Sequence, residues 1–226
     1  MTRQTQTLET TPPAAATGGR FAAGEDPAKR EQIIAGAKRV FMTVGFDAAS
    51  MNDITREAGV SKGTIYVYFA SKEDLFVAMV DRERDRIASD MRDILAGSGS
   101  VEDALSAFGM SFARHITSPQ VIDAMRTVIG VVQRMPNLSR RFFHTTPGNV
   151  RDVLEDFLRR HIALGTLAID DTDLAARQFI EMSTGSFFKF RLFGDLDDVP
   201  SDAELEHAIS GAVRVFMAAY GAKAKG

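Results

Sequence analysis

The sequence predicts an all-α protein: a short N-terminal three-helix unit followed by a larger helical part. Three observations carry this. Apolar residues recur at helical spacing in segment after segment. No segment keeps strand alternation, and β-branched residues never gather between turn signals. Serines recur just ahead of apolar stripes, where a hydroxyl caps a helix by accepting from a free backbone amide.

The elements follow in order. Residues 1–25 are rich in Thr, Pro, Ala and Gly and read as a disordered arm. Asp26 and Pro27 suit a helix start, Ile33, Ile34, Ala37, Val40 and Phe41 form one stripe, and Gly45 suits its end. Ser50-x-x-Asp53, Ser61-x-x-Thr64 and Ser71-x-x-Asp74 then open three further helices. The first is a short stretch with Met51, Ile54 and Ala58 on one face, stopped by Gly59. The last runs long, to about Gly97. Further helices are expected near 101–117, 119–135, 147–164, 172–193 and 202–221, with a short one near 137–144. This gives three parts: an arm over 1–25, a three-helix unit over 26–70, and a larger unit over 71–226.

Composition narrows the function classes. With 226 residues the chain can bury a substantial core. Its 45% apolar and 25% charged content is ordinary for a soluble globular protein. The absence of cysteine excludes disulfides, thiolate zinc sites and cysteine nucleophiles. No apolar run reaches the roughly 20 residues of a membrane helix, and the N-terminus has no apolar core of a secretory signal. A soluble cytoplasmic protein without membrane association is expected. The net charge of −3 does not advertise a nucleic-acid binder, but a whole-chain average hides a local patch.

Two short helices joined by a glycine turn, with a third beneath, make the helix-turn-helix layout. Met51–Ala58 would support, Gly59-Val60 would turn, and Ser61–Tyr68 would be the recognition helix. Ser61, Lys62, Gly63 and Thr64 occupy its first turn, the part pushed toward base edges. Lys62 has the reach for a phosphate or a guanine edge. Ile65 and Phe69 point inward, so Tyr66 and Tyr68 flank the DNA with hydroxyls for phosphates. Without the surrounding trio these would be ordinary caps, half-buried aromatics and a solvated lysine; a packed core does not explain Lys62 and Gly63 at this spacing. Arg20, Lys29 and Arg30 fit a solvated terminus better than an added DNA contact.

The run from Gly45 to Leu75, GFDAASMNDITREAGVSKGTIYVYFASKEDL, resembles the DNA-binding signature of tetracycline-repressor (TetR) family regulators. The hallmarks are the AGVS turn, the KGTIY helix, its YF ending and the SKEDL start of the next helix. The stretches RMPNLSRRFF and TPGNVRDVLEDFL more loosely resemble effector domains of the AcrR/AefR-like branch. The resemblance implies that Ser50 and Ser61 sit at capping positions facing the DNA backbone. It places Lys62, Gly63, Thr64 and Val67 on the base-facing side and gives phosphates to Tyr66, Tyr68 and Lys72. It also implies a homodimer, a palindromic operator on double-stranded DNA, repression, and control of efflux pumps as the commonest context.

A two-turn recognition helix reads few base pairs, so two copies about 34–36 Å apart are needed. The dimer surface is expected on the helices near 172–193 and 202–221, with Phe187, Phe190, Ile209, Val213, Phe216 and Met217. Between reader and dimer surface the chain is rich in Phe and Met, which suits an adaptable apolar pocket. Expected lining residues are Phe108, Phe112, Met125, Arg126, Ile129, Gln133, Phe143, Phe157, Phe179 and Met182, with Arg114, His115 and Glu181 as further polar candidates. The implied effector is a mostly apolar small molecule. No cofactor, metal or catalysis is expected: His115, His144, His161 and His207 lie on separate helices, and GVSKGT lacks phosphate-loop spacing. The competing readings are a helical binding or adaptor protein without DNA, and then an enzyme.

Overall fold

A computed structural model describes residue 22 and residues 24–97, 99–131 and 149–222. They form helices α1 (Pro27–Ala48), α2 (Met51–Ala58), α3 (Lys62–Tyr68), α4 (Lys72–Ala96), α5 (Val101–Ile116), α6 (Pro119–Val131), α7 (Val150–Ala163), α8 (Thr172–Phe193) and α9 (Asp202–Tyr220). The short helix expected near 137–144, with Gln133 and Phe143, falls outside the described residues. No helix among the described residues is long and apolar enough to cross a membrane.

Local chemistry sets the boundaries. Ser50, Ser61 and Ser71 each accept from the amide three residues on, so the repeated serine pattern does start three helices. Ser50 answers with its hydroxyl, which lies 2.5 Å from an Asp53 carboxylate oxygen; reciprocal capping boxes instead form at Ser100–Asp103 and Ser201–Glu204. Gly45 breaks the helical run of α1 at φ 77°. Gly59 closes α2 at φ 63°, while the Val60 amide returns to the Thr55 carbonyl. Only a residue at ease in the left-handed region makes that turn so short.

The helices bury two cores. In the first, Ile33, Ile34, Phe41, Ile54, Ile65 and Phe69 of α1–α3 meet Leu75, Phe76 and Met79 of α4. The rings of Phe41, Phe46 and Phe76 lie 5.0–5.5 Å apart. This core continues past residue 70 into α4, and Val128 and Val131 of α6 complete it. The second core joins the far half of α4 to α5, α7, α8 and α9 around Phe108, Phe157, Phe179 and Phe216. One rigid helix therefore belongs to both cores, and α6 touches the first from the side of the second.

Several expected roles change here. Ile209, Val213 and Phe216, read as a dimer face, are at most 7% exposed. Their stripe packs inward: a Cβ on Gly109 of α5 would come within 2.9 Å of Ile209, so the two helices nearly touch. Phe187 and Met217 are partly buried against the same core, leaving Phe190 at 51% exposure. The apolar residues that do face out are Leu174, Met182, Phe190 and Phe193 along α8, and Val215 on α9. Periodicity gave the stripe but not its partner, because a helix of one's own chain and a copy's helix demand the same pattern.

Phe108, Phe157 and Phe179 are likewise core residues, none more than 2% exposed. Arg126 does not face a cavity; it donates to the carbonyls of Arg191 and Leu192 and so caps the end of α8. Ile129 and Met182 lie on the outer surface.

Candidate nucleic-acid interface

α3 stands on the first core by Ile65, which is fully buried, and Phe69, at 5% exposure. A heptad-long helix anchored on one side must show its other side. Lys62, Gly63, Tyr66 and Val67 are exposed, and Thr64 and Tyr68 are half-buried. Tyr66 and Val67 are 46% and 53% exposed, high for an aromatic and a valine in a packed unit. The Ser61 and Thr64 hydroxyls lie 2.8 Å apart, which fixes the first turn. The structure thus brings Ser61, Lys62, Gly63, Thr64, Tyr66 and Val67 together on one outer ridge, with Ser50 exposed at the start of α2.

Supporting contacts hold that ridge in place. Gln32 of α1 donates to the Ala58 carbonyl at 2.7 Å, capping α2 just before the turn. Arg39 pairs with the Glu57 carboxylate and donates to its carbonyl. Arg30 lies 5.3 Å from the centre of the Phe69 ring.

Lys72 is different. Its ammonium donates to the carbonyls of Phe46, Asp47 and Ala49 at 2.9–3.1 Å and sits 4.7 Å from the centre of the Phe46 ring. All three of its donors are engaged in closing the α1–α2 link, which gives Lys72 a structural role beside the phosphate role that the resemblance implies. Lys72→Met is expected to cost about 1–2 kcal/mol of stability. A urea titration beside a DNA-binding titration checks it. Unchanged stability with weaker binding would leave only the phosphate role.

A cavity of about 800 Å3 lies between the two cores. Of the residues expected to line it, Phe112 and Met125 do, joined by His115 and Glu181. Arg114 instead pairs with Asp202 at 2.8 Å. Sequence reasoning missed that the wall includes Lys38 and Met42 of α1, Met79, Val80 and Glu83 of α4, and Val128 of α6. Met79, Val80 and Val128 also belong to the first core, so the cavity floor and the core beneath α3 are one surface. Burial opposes ionisation of Glu83, but the hydrogen bond and charge of Lys38 outweigh it and hold the carboxyl below its usual range. Burial, and then the charge of Arg86, push the His115 imidazole below its usual range. Among the described residues no group of three or more His, Cys, Asp or Glu could hold a metal ion.

Residues 33–79 match the family described as bacterial regulatory proteins, tetR family, and residues 103–222 match the AefR-like transcriptional repressor C-terminal domain. The second match alone spans more than half of the chain. The chain belongs to the TetR family.

Solved TetR-family structures align over nearly their whole length. One from Mesorhizobium loti has a TM-score of 0.79 at 25% identity, covering 86% of this chain and 97% of its own. The flavonoid-responsive regulator FrrA has a TM-score of 0.71 at 29% identity, covering 87% and 99%. Among curated relatives, the transcriptional activator FasR of Mycolicibacterium smegmatis is 39% identical over 67 residues, 30% of this chain and 31% of FasR. The repressor AcnR of Corynebacterium glutamicum is 33% identical over 82 residues, 36% of this chain and 42% of AcnR. The chain therefore matches less than half the length of these two relatives. The family and these two curated relatives are transcription regulators rather than enzymes.

Proposed function

We propose that this TetR-family chain is a ligand-responsive, DNA-binding transcription regulator. It acts in the cytoplasm as a homodimeric repressor, released from a palindromic operator by a mostly apolar small molecule. The observation that carries this is the capped α3 ridge. It offers Lys62, Gly63, Thr64 and Val67 outward while Ile65 and Phe69 hold it down. Lys62 takes phosphate or a guanine edge, Tyr66 and Tyr68 take phosphates, and Val67 offers a methyl contact. With so little bidentate readout, DNA shape supplies a share of the specificity. Ser50 and Ser61 lie at the rim toward the DNA backbone. The exposed apolar residues of α8 and α9, Leu174, Met182, Phe190, Phe193 and Val215, suit the second copy that a short recognition helix requires.

Switching runs through the shared floor. A ligand that fills the cavity presses on Met79, Val80 and Val128, which also support the reader. It shifts the equilibrium only by its preference for the DNA-incompetent arrangement.

A salt titration of binding to DNA from the protein's own promoter region tests the reading. Affinity is expected to fall by about a thousandfold or more between low and moderate salt if six or more phosphates are neutralised. Tyr66→Ala should weaken all sequences alike, whereas Lys62→Ala should also relax base preference. Salt-independent or undetectable binding would favour a helical binding protein without DNA.

A further inference from the structure

Most of the cavity wall is apolar, with Phe112, Ile116, Met125 and Ile180 among its side chains. Its charges are unevenly signed. Among the described residues Lys38, Arg84, Arg86, Arg151, Arg177 and Lys189 line it, against Glu83 and Glu181. The other carboxylates that pair with the four arginines are not part of the wall. Asp81 and Asp85 hold Arg84, Asp90 holds Arg86, and Asp173 holds both Arg151 and Arg177. Asp152 also pairs with Arg151. Lys38 and Lys189 pair with the two wall carboxylates themselves, so the wall carries more cations than acids, each of them engaged in an ion pair that an incoming anion could share.

One corner concentrates the polar groups and joins three helices. Lys38 of α1 lies 2.9 Å from one oxygen of Glu83 on α4, and Arg86 of α4 lies 3.5 Å from the other. His115 of α5 lines the same cavity, where burial and then the charge of Arg86 hold its imidazole below the usual range. Its imidazole makes no hydrogen bond among the described residues while it lines the cavity. Two cations and one carboxylate therefore face inward at this corner. Asp90 meets Arg86 at 3.2 Å beside this corner; both are more than half exposed, so water screens the pair.

If the cavity is the effector site, as proposed above, its chemistry can be narrowed. We infer that it takes an amphipathic organic anion, whose acidic head sits between Lys38, Arg86 and His115 and whose apolar body lies along Phe112, Ile116 and Met125. The same head competes with Glu83 for Lys38, so it acts on α1, a helix of the reader itself, and not only through α4.

The test uses the full chain and a neutral fluorescent apolar dye, N-phenyl-1-naphthylamine, displaced near neutral pH by dodecanoate, dodecanol or dodecylammonium. Dodecanoate is expected to bind about tenfold tighter than dodecanol, the equivalent of one charge-assisted hydrogen bond. Lys38→Met and Arg86→Met should each remove most of that tenfold preference. Binding of the neutral dye in both variants shows that the cavity is still folded. Equal or tighter binding of the alcohol or the ammonium compound overturns the anionic class while leaving the effector site intact. Dye that binds but yields to none of the three also overturns it. A chain that binds neither dye nor chain compound loses the effector reading itself, whatever its behaviour on DNA.

Discussion

Gly36→Val is expected to abolish DNA binding and to destabilise the N-terminal unit by about 1–3 kcal/mol, the cost of overpacking a filled interface. A Cβ at Gly36 would stand 2.7 Å from both Cα and Cβ of Ala58 and 2.9 Å from its nitrogen. Real side chains do not approach so closely, and the obstacle is backbone that no rotamer change can clear. α1 and α2 must separate. Because Gln32 caps α2 through the carbonyl of that same Ala58, the start of the α2–α3 turn moves with it. Helix propensity pulls the other way, since glycine is about 1 kcal/mol worse than alanine inside a helix. Even Ala brings the clashing Cβ, and Val adds β-branching, so the clash decides the sign. Urea unfolding and promoter binding of the variant check this. Wild-type stability together with wild-type binding would show that the crossing relaxes at no cost.

Arg191→Met is expected to destabilise the larger helical part by about 2–3 kcal/mol, mostly through buried acceptors left without a donor. Arg191 is 8% exposed, unusual for an arginine, and its guanidinium serves three carbonyls. It donates to Thr117 and Leu196 at 3.3 Å each, and to Asp197. Thr117 is fully buried at the α5–α6 junction, so its carbonyl has no water to turn to. Leu196 and Asp197 lie nearer solvent and lose less. Arg126 fastens α6 to the end of α8 through the Arg191 and Leu192 carbonyls, so the variant also loosens a wall of the cavity. A lower urea midpoint, with Arg191→Lys falling between, is the expected result. An unchanged midpoint for Arg191→Met would mean that packing alone holds the junction.

The reader was almost wholly legible in the sequence. Helices α2 and α3 are short and begin at serines whose caps act over three residues, and the turn between them needs a glycine at φ 63°. Such features depend on near neighbours. Ile65 and Phe69 were placed inward by spacing alone, and both are buried. Lys72 was not legible, because its partners Phe46, Asp47 and Ala49 lie 23–26 residues away in the chain. The cavity was legible only as a tendency. A phenylalanine in a core and one on a cavity wall satisfy the same periodicity, so Phe112 was separated from Phe108 only by packing. Arg191 carried no local signal of burial, since an arginine in the last turn of a helix usually reaches water.

By itself the sequence determined the all-α class, the start of the reader helices, the turn between α2 and α3, and the outward facing of Lys62, Gly63, Tyr66 and Val67 on α3, whereas Tyr68, expected to face out with them, packs partly against the first core. Each is set by hydrogen bonds and side-chain spacing within a few residues. Only the tertiary structure decided which apolar stripe is core and which is free, where Lys72 and Arg191 spend their charge, and that the cavity floor is also the floor of the reader. Those outcomes depend on distant segments meeting, and on which acceptors lose their water when they do.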